Sequence, residues 1–185
     1  MNNHHTYLII LAASLVGPLL LSFDKKVAFY KKWKYLFPAM VIPALFYIAW
    51  DIYFTAKGIW SFNENCITGI KLSNLPVEEV LFFFVVPYCC IFIYECLRSY
   101  FPGIKNKPQG NTVLKLLAVA LFITSIIFFN KNYTSYTFFF LSVCIAIIYL
   151  FRKFFTSFDA SSFLISYLVI LIPFLVVNGF LLPFR

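Results

Sequence analysis

Six apolar runs, each close to the length of a bilayer crossing, leave this 185-residue chain few folds to choose from. They fall near 6–23, 35–56, 77–97, 113–129, 133–151 and 163–182. A hydrocarbon core of about 30 Å takes ~20 helical residues, with allowance for tilt and ragged ends. Backbone groups in lipid must be satisfied within the segment, and these runs are too long and continuous for barrel strands, so helices are the reading. The expected fold class is all-α: a polytopic membrane helix bundle of about six transmembrane helices, a single membrane domain over residues 1–185 in the cell membrane. Composition agrees, because 62% of residues are apolar, 12% are charged and 25 are Phe, more than a water-soluble core of this size hides. Membrane lipid, or a lipid-like substrate, must face them.

The net charge of +8 does not point to nucleic acid. The lysines cluster beside apolar runs, which fits anionic headgroups and topology. Lys and Arg number five in 24–34, four in 98–115 and two in 152–162, against two in 57–76 and one in 130–132. The positive-inside rule then places the N-terminus outside, and an even number of spans places the C-terminus outside as well. The 57–76 loop is expected on that outer side. No basic stretch precedes the first apolar run, so no cleavable signal peptide is expected. Of the five cysteines, Cys89, Cys90, Cys96 and Cys144 lie inside apolar runs without a paired CxxC pattern, and His4 and His5 have no third ligand nearby. Neither a metal nor, without a GxGxxG fingerprint, a nucleotide is expected, and no other cofactor is implied.

Carboxylates at membrane depth are costly, about 2.5–3.5 kcal/mol for an acid at a helix centre, and so are informative. The stretch NLPVEEVLFFF places Glu78 and Glu79 in the first turn after Pro76, a residue suited to opening a helix. Acids there can simply complement the helix dipole and face interfacial water. Against that, Leu75 cannot cap Glu78, and successive helical residues point about 100° apart, turning at least one acid inward. Asp51 lies at similar depth in the second run, with only Phe54 and Thr55 at the i+3 and i+4 positions. Its depth also points to function. Glu95 has Arg98 three residues on and reads as a local ion pair. Asp24 and Asp159 sit in basic loops and need no special account, while Glu64 in the outer loop fits either role. Trp50, Trp60, Phe62 and Asn63 share the level of the acids, as does Asn178 in the last run. Aromatic faces stabilise cations by several tenths to ~2 kcal/mol when desolvated, so acids beside them suit a carbocation reaction.

The connection 98–112, RSYFPGIKNKPQGNT, reads as a flexible basic link between three helices and three more. Ile42-Pro43-Ala44-Leu45 and Ile172-Pro173-Phe174-Leu175 share an I-P-x-L pattern 130 residues apart, which allows half-repeats over 1–97 and 113–185. The second is incomplete: another copy of the 57–76 loop would start near 187, and no other proline of the nine is followed by a Pro-x-acid pattern.

The stretches SFDKKVAFYKKWKYLFPA (22–39), WDIYFTAKGIWSFNENCITGIKLSNLPVEEVLFFFVVPYCCIFIYE (50–95) and SYLVILIPFLVVNG (166–179) resemble the integral-membrane, heterodimer-type or fused lycopene cyclases of carotenoid biosynthesis. The resemblance implies that Pro76, Glu78 and Glu79 supply the Pro-x-Glu-Glu/Asp motif and that lycopene or a related carotenoid is the substrate. It implies a lycopene β-cyclase: acid-catalysed, non-redox closure of the ψ-end to a β-ionone ring. One of two neighbouring carboxyls is kept protonated by its partner's charge and can serve as the acid. On this reading Glu78 and Glu79, with Asp51, give and take the protons, while Trp50, Trp60, Phe62, Asn63 and Asn178 line the substrate. Family members carry the acidic motif in both halves, so a homo- or hetero-oligomer with a partner chain or a second copy is implied. Two other classes fit the residues: a non-catalytic subunit of such a cyclase, and a small proton-coupled transporter using the same acids.

Overall fold

The computed structural model describes residues 5–59, 61–105 and 107–181, without the side chains of Asn132 and of 177–181. Within them run α1 (Thr6–Leu21), α2 (Trp33–Ala56), β1 (Lys71–Leu72), β2 (Leu75–Pro76), α3 (Val77–Tyr100), α4 (Pro108–Ile127), α5 (Asn132–Leu150) and α6 (Ala160–Leu181). Short 3-10 turns occupy Phe29–Lys32 and Pro102–Ile104. Every apolar run has become a helix, and the bundle is all-α apart from the two-residue strands.

Among the described residues, four helices are long and apolar enough to cross a membrane: α2 with the 3-10 turn before it, α3, α4 and α5. The protein is a multi-pass integral membrane protein. Four long helices stand where the sequence predicts about six spans. The shortfall has a geometric cause in α1, whose 16 residues cover only about 24 Å at ~1.5 Å per residue. α6 runs for 22 residues, Ala160–Leu181, and stands outside the four because its side chains are described only to Val176. Side chains such as Ile42 (76% exposed) and Leu150 (78%) point outward, as lipid-facing residues do.

The chain forms two compact units, residues 1–100 with 166–185, and residues 101–165. In the first, Val27, Phe29, Leu36, Met40, Tyr88 and Phe92 form a core, with Leu15, Trp33 and Phe84 packed against it. Phe29 meets both Tyr88 and Phe92 edge-on, with ring centroids 5.5 and 5.6 Å away. Where α1 ends, the Ser22 hydroxyl donates to the Pro18 carbonyl at 2.6 Å. Its one hydrogen being so used, the Tyr88 hydroxyl 2.6 Å away is the donor to it. Glu95 accepts from Lys32 at 2.5 Å and lies 3.8 Å from Arg98, so the expected local pair is joined by a cation from the approach to α2. Asp24 accepts hydrogen bonds from the Tyr100 hydroxyl (2.9 Å) and the Val27 N–H (3.3 Å), closing the loop onto the end of α3.

In the second unit, α4 and α5 are joined by the short 128–131 connection and pack through Leu114 and Ile145, with Ala160 completing the buried cluster. Polar bonds supplement the packing: Ser135 Oγ donates to the Ser125 carbonyl at 2.9 Å, and the Tyr149 hydroxyl to Asn111 at 3.2 Å. Small polar residues of this kind are what let membrane helices approach and bond. Asp159 is buried and its carboxylate accepts from the Ser161 and Ser162 N–H groups, both at 3.2 Å, capping the start of α6. The acid read from sequence as an ordinary loop residue is thus a helix cap.

Candidate active site

The site is built where α2 ends and α3 begins. After Ala56, Gly58 takes a φ of +68°, its N–H bonding the Thr55 carbonyl (3.0 Å) while the Ile59 N–H bonds that of Phe54 (3.1 Å). This is a Schellman stop, which satisfies the last carbonyls of α2 and sends the chain away from the helix axis. The loop returns as a tight antiparallel hairpin with Leu72 opposite Leu75 and Lys71 opposite Pro76. Its two-residue turn is Ser73-Asn74, with Ser73 at a φ of +60°. Proline has no N–H to extend the ladder; the Val77 N–H instead reaches the Ile70 carbonyl at 2.9 Å. The helix begins at Val77, which places both glutamates in its first turn.

Several bonds fix this hairpin. The Asn74 side-chain amide donates to the Ile52 carbonyl at 3.0 Å, holding the turn beside Asp51 on α2. Farther along the pair of helices, Tyr47 stacks on Phe83 with centroids 5.8 Å apart. The ends of α2 and α3 that carry the acids therefore belong to one region of the fold.

All three predicted acids are buried there: Glu78 is 0% exposed, Glu79 4% and Asp51 8%. The water-facing alternative therefore does not hold for the glutamate pair, although both keep the first-turn position that the helix dipole favours. The expectation that at least one turns inward is exceeded, because both do. Glu78 Oε1 accepts the Thr68 backbone N–H at 2.7 Å. Its second oxygen is buried with no hydrogen-bond partner among the described residues. Glu79 Oε2 accepts from the Tyr7 hydroxyl of α1 at 2.5 Å. Tyr7 is itself 4% exposed, packs with Ile67, and bonds through its own N–H to the Cys66 carbonyl at 3.3 Å.

Further polar atoms around this region are buried without partners among the described residues: the hydroxyls of Thr55 and Thr68 and the side-chain oxygen of Asn74.

Of the aromatic and amide residues expected around the acids, Trp50 is half-buried and stacks on Phe54 at 4.9 Å and 23°. Phe62 packs against the Tyr7 and Ile67 cluster. Asn63 spends its side-chain oxygen on the Asn65 N–H (3.0 Å) and its carbonyl on the Cys66 N–H (3.0 Å), a local turn. Trp60 and the Asn178 side chain lie outside the described residues. Glu64, left open by the sequence, is an exposed partner of Lys71 at 2.8 Å, whose hydrogen bond and charge hold its carboxyl below the ordinary carboxylate range. Tyr7 and Thr68 were not legible as site residues. A tyrosine 72 positions before its carboxylate leaves no spacing signal, and a backbone donor leaves none at all.

No solved structure matches the chain. A 65-residue stretch, 34% of the chain, is 43% identical to the bifunctional lycopene cyclase/phytoene synthase of Pyrenophora tritici-repentis, covering 11% of that protein. A 75-residue stretch, 37% of the chain, is 42% identical to the lycopene beta-cyclase of Halobacterium salinarum and covers 30% of it. The matched region thus spans less than a third of either relative. The family described as lycopene cyclase matches over residues 4–97 and 130–184, most of the chain and both glutamates included. The chain belongs to the lycopene cyclase family.

Proposed function

We propose that the protein is a lycopene β-cyclase acting inside the membrane, closing the ψ-end of lycopene or a related carotenoid to a β-ionone ring without cofactor. The observation that carries the reading is the burial of three carboxyls, Asp51 near the end of α2 and Glu78 and Glu79 at the start of α3, with an oxygen of Glu78 unpartnered among the described residues. Ring closure needs a proton delivered to a terminal alkene, a hydrocarbon cation shielded from water, and a base for the final proton. Buried carboxyls supply the first and last of these, since a neutral carboxyl in an apolar site can serve as an acid and its charged neighbour as a base. Trp50, Trp60 and Phe62 are assigned to the cation, whose charge an aromatic face stabilises. Asn63 and Asn178 are assigned to the substrate's surroundings.

A partner-dependent form of the same activity is the second reading, in which the Pro-x-acid pattern at Pro76 and Glu78 works beside another one. A partner chain or a second copy would then bring a second acid pair. The half-repeat reading belongs here too. The 130-residue offset pairs Pro43 with Pro173, hence α2 with α6 and α1 with α5.

Co-expression in a lycopene-producing bacterium tests the proposal. Cells turn from red to orange or yellow with the wild-type chain, alone or with a chain carrying a second acidic motif. Glu78→Gln and Glu79→Gln each lower ring formation at least a hundredfold by pigment chromatography, about 2.7 kcal/mol of barrier. Normal cyclisation by either variant sinks the assignment, and indifference to lycopene under both conditions sinks the function.

A further inference from the structure

The two glutamates are equivalent in sequence but not in their surroundings. Glu79 receives a phenolic O–H at 2.5 Å, within a buried pair. A buried hydroxyl that donates to a carboxylate oxygen favours the charged form of that carboxyl. Glu78 is fully buried, takes one backbone N–H on Oε1, and offers its other oxygen to no donor among the described residues. An ionised oxygen in that position would forfeit its solvation with nothing in return, whereas a carboxyl O–H there is neutral and ready to donate. Two carboxyls on consecutive residues do not readily share two charges in an apolar site.

We propose that Tyr7 divides the labour of the pair, holding Glu79 as the carboxylate that takes the final proton and leaving Glu78 as the acid that delivers the first. This rests on the cyclase reading and deepens it. In the first step the Glu78 O–H bond breaks as its proton forms a C–H bond at the terminal alkene, leaving a tertiary cation and a Glu78 carboxylate. The electron pair of a neighbouring double bond then forms the ring C–C bond and moves the positive charge into the ring. Glu79 removes a proton from the adjacent ring carbon, whose C–H electrons become the ring double bond. The proton returns from Glu79 to Glu78, so the substrate is isomerised with no oxidant or reductant consumed. Tyr7 touches no reacting atom in this scheme and is a positioning residue.

The test is infrared spectroscopy of the full chain in lipid nanodiscs without carotenoid, in H₂O and D₂O at neutral pH. The wild type is expected to show a deuterium-sensitive carbonyl stretch of a protonated carboxyl. Glu78→Gln removes it, while Glu79→Gln and Asp51→Asn keep it. Tyr7→Phe adds a second such band, absent from the Tyr7→Phe/Glu79→Gln double variant, because the donor that favoured the charged form has gone. Loss of a purely structural tyrosine would lower thermal stability without a second band. In the pigment assay, Tyr7→Phe lowers turnover about tenfold or more, the scale of one charged hydrogen bond. A wild-type band that survives Glu78→Gln or vanishes in Glu79→Gln overturns the division of labour, and an unchanged Tyr7→Phe spectrum overturns the role of Tyr7. If the spectra behave as expected but lycopene is left untouched, the proton assignment stands and the cyclase reading fails.

Discussion

Glu78 and Glu79 owe their difference to what arrives from elsewhere in the chain: a backbone N–H from Thr68 in one case and a tyrosine hydroxyl from α1 in the other. Depth in an apolar run was enough to single out these acids and Asp51, because the cost of burying a carboxyl is a property of the residue and its neighbours along the chain. Their partners depend on the tertiary fold and leave no trace in local sequence. Asp159 is the opposite case. An acid directly before an Ala-Ser-Ser helix start is a readable cap, and the basic composition of its loop concealed it. The Ser22 to Tyr88 pair offers a test at this scale. Both residues are buried, at 0% and 3% exposure, and Ser22→Ala strands the Tyr88 hydroxyl. We expect a loss of about 1–3 kcal/mol, measured by reversible unfolding in mixed detergent micelles.

Helix ends, more than helix existence, separate the sequence reading from the structure. α2, α4 and α6 begin two to five residues before the apolar runs read near 35, 113 and 163, at Trp33, Pro108 and Ala160. The polar residues that open a helix look like loop when hydrophobicity is the guide, although they already have helical backbone. The 71–76 hairpin was invisible for another reason, since strands of two residues have no periodicity to detect. Packing between elements was equally hidden. A Cβ added to Gly110, in the first turn of α4, would lie 2.2 Å from Ser161 Oγ and 2.7 Å from the Ser161 backbone N and Cα at the start of α6. The serine hydroxyl is also committed, donating to the Lys107 carbonyl at 2.9 Å. Gly110→Ala should therefore destabilise the 101–165 unit by roughly 1–3 kcal/mol, as overpacking does, despite alanine's better helix propensity. Limited proteolysis of the 151–159 connection would report it as faster cleavage.

For the whole molecule, membrane residence was plain from composition, and the number of crossings was not. Hydropathy measures whether a run tolerates lipid, while the length of regular helix decides how far it reaches, and α1 stops at Leu21 where Ser22 and Tyr88 close the turn. Orientation is a separate matter, and the lysine-rich 24–34 segment and the 98–115 link carry the expectation of an outer N-terminus. Cysteine reporters placed at Asn65 and at Lys105, in an otherwise cysteine-free background, should react with an impermeant maleimide from opposite sides, Asn65 from outside and Lys105 only after permeabilisation. Reversed accessibility would refute the charge-based orientation. The stack of Trp50 on Phe54, one residue from Asp51, carries a consequence of an optical kind. An indole held beside the acids is an emitter, and a long conjugated polyene brought against it is a chromophore that accepts its energy. On the proposed cyclase reading, carotenoid entering the site should dim the Trp50 share of the emission, and Trp50→Phe should remove that share while leaving Trp33 and Trp60.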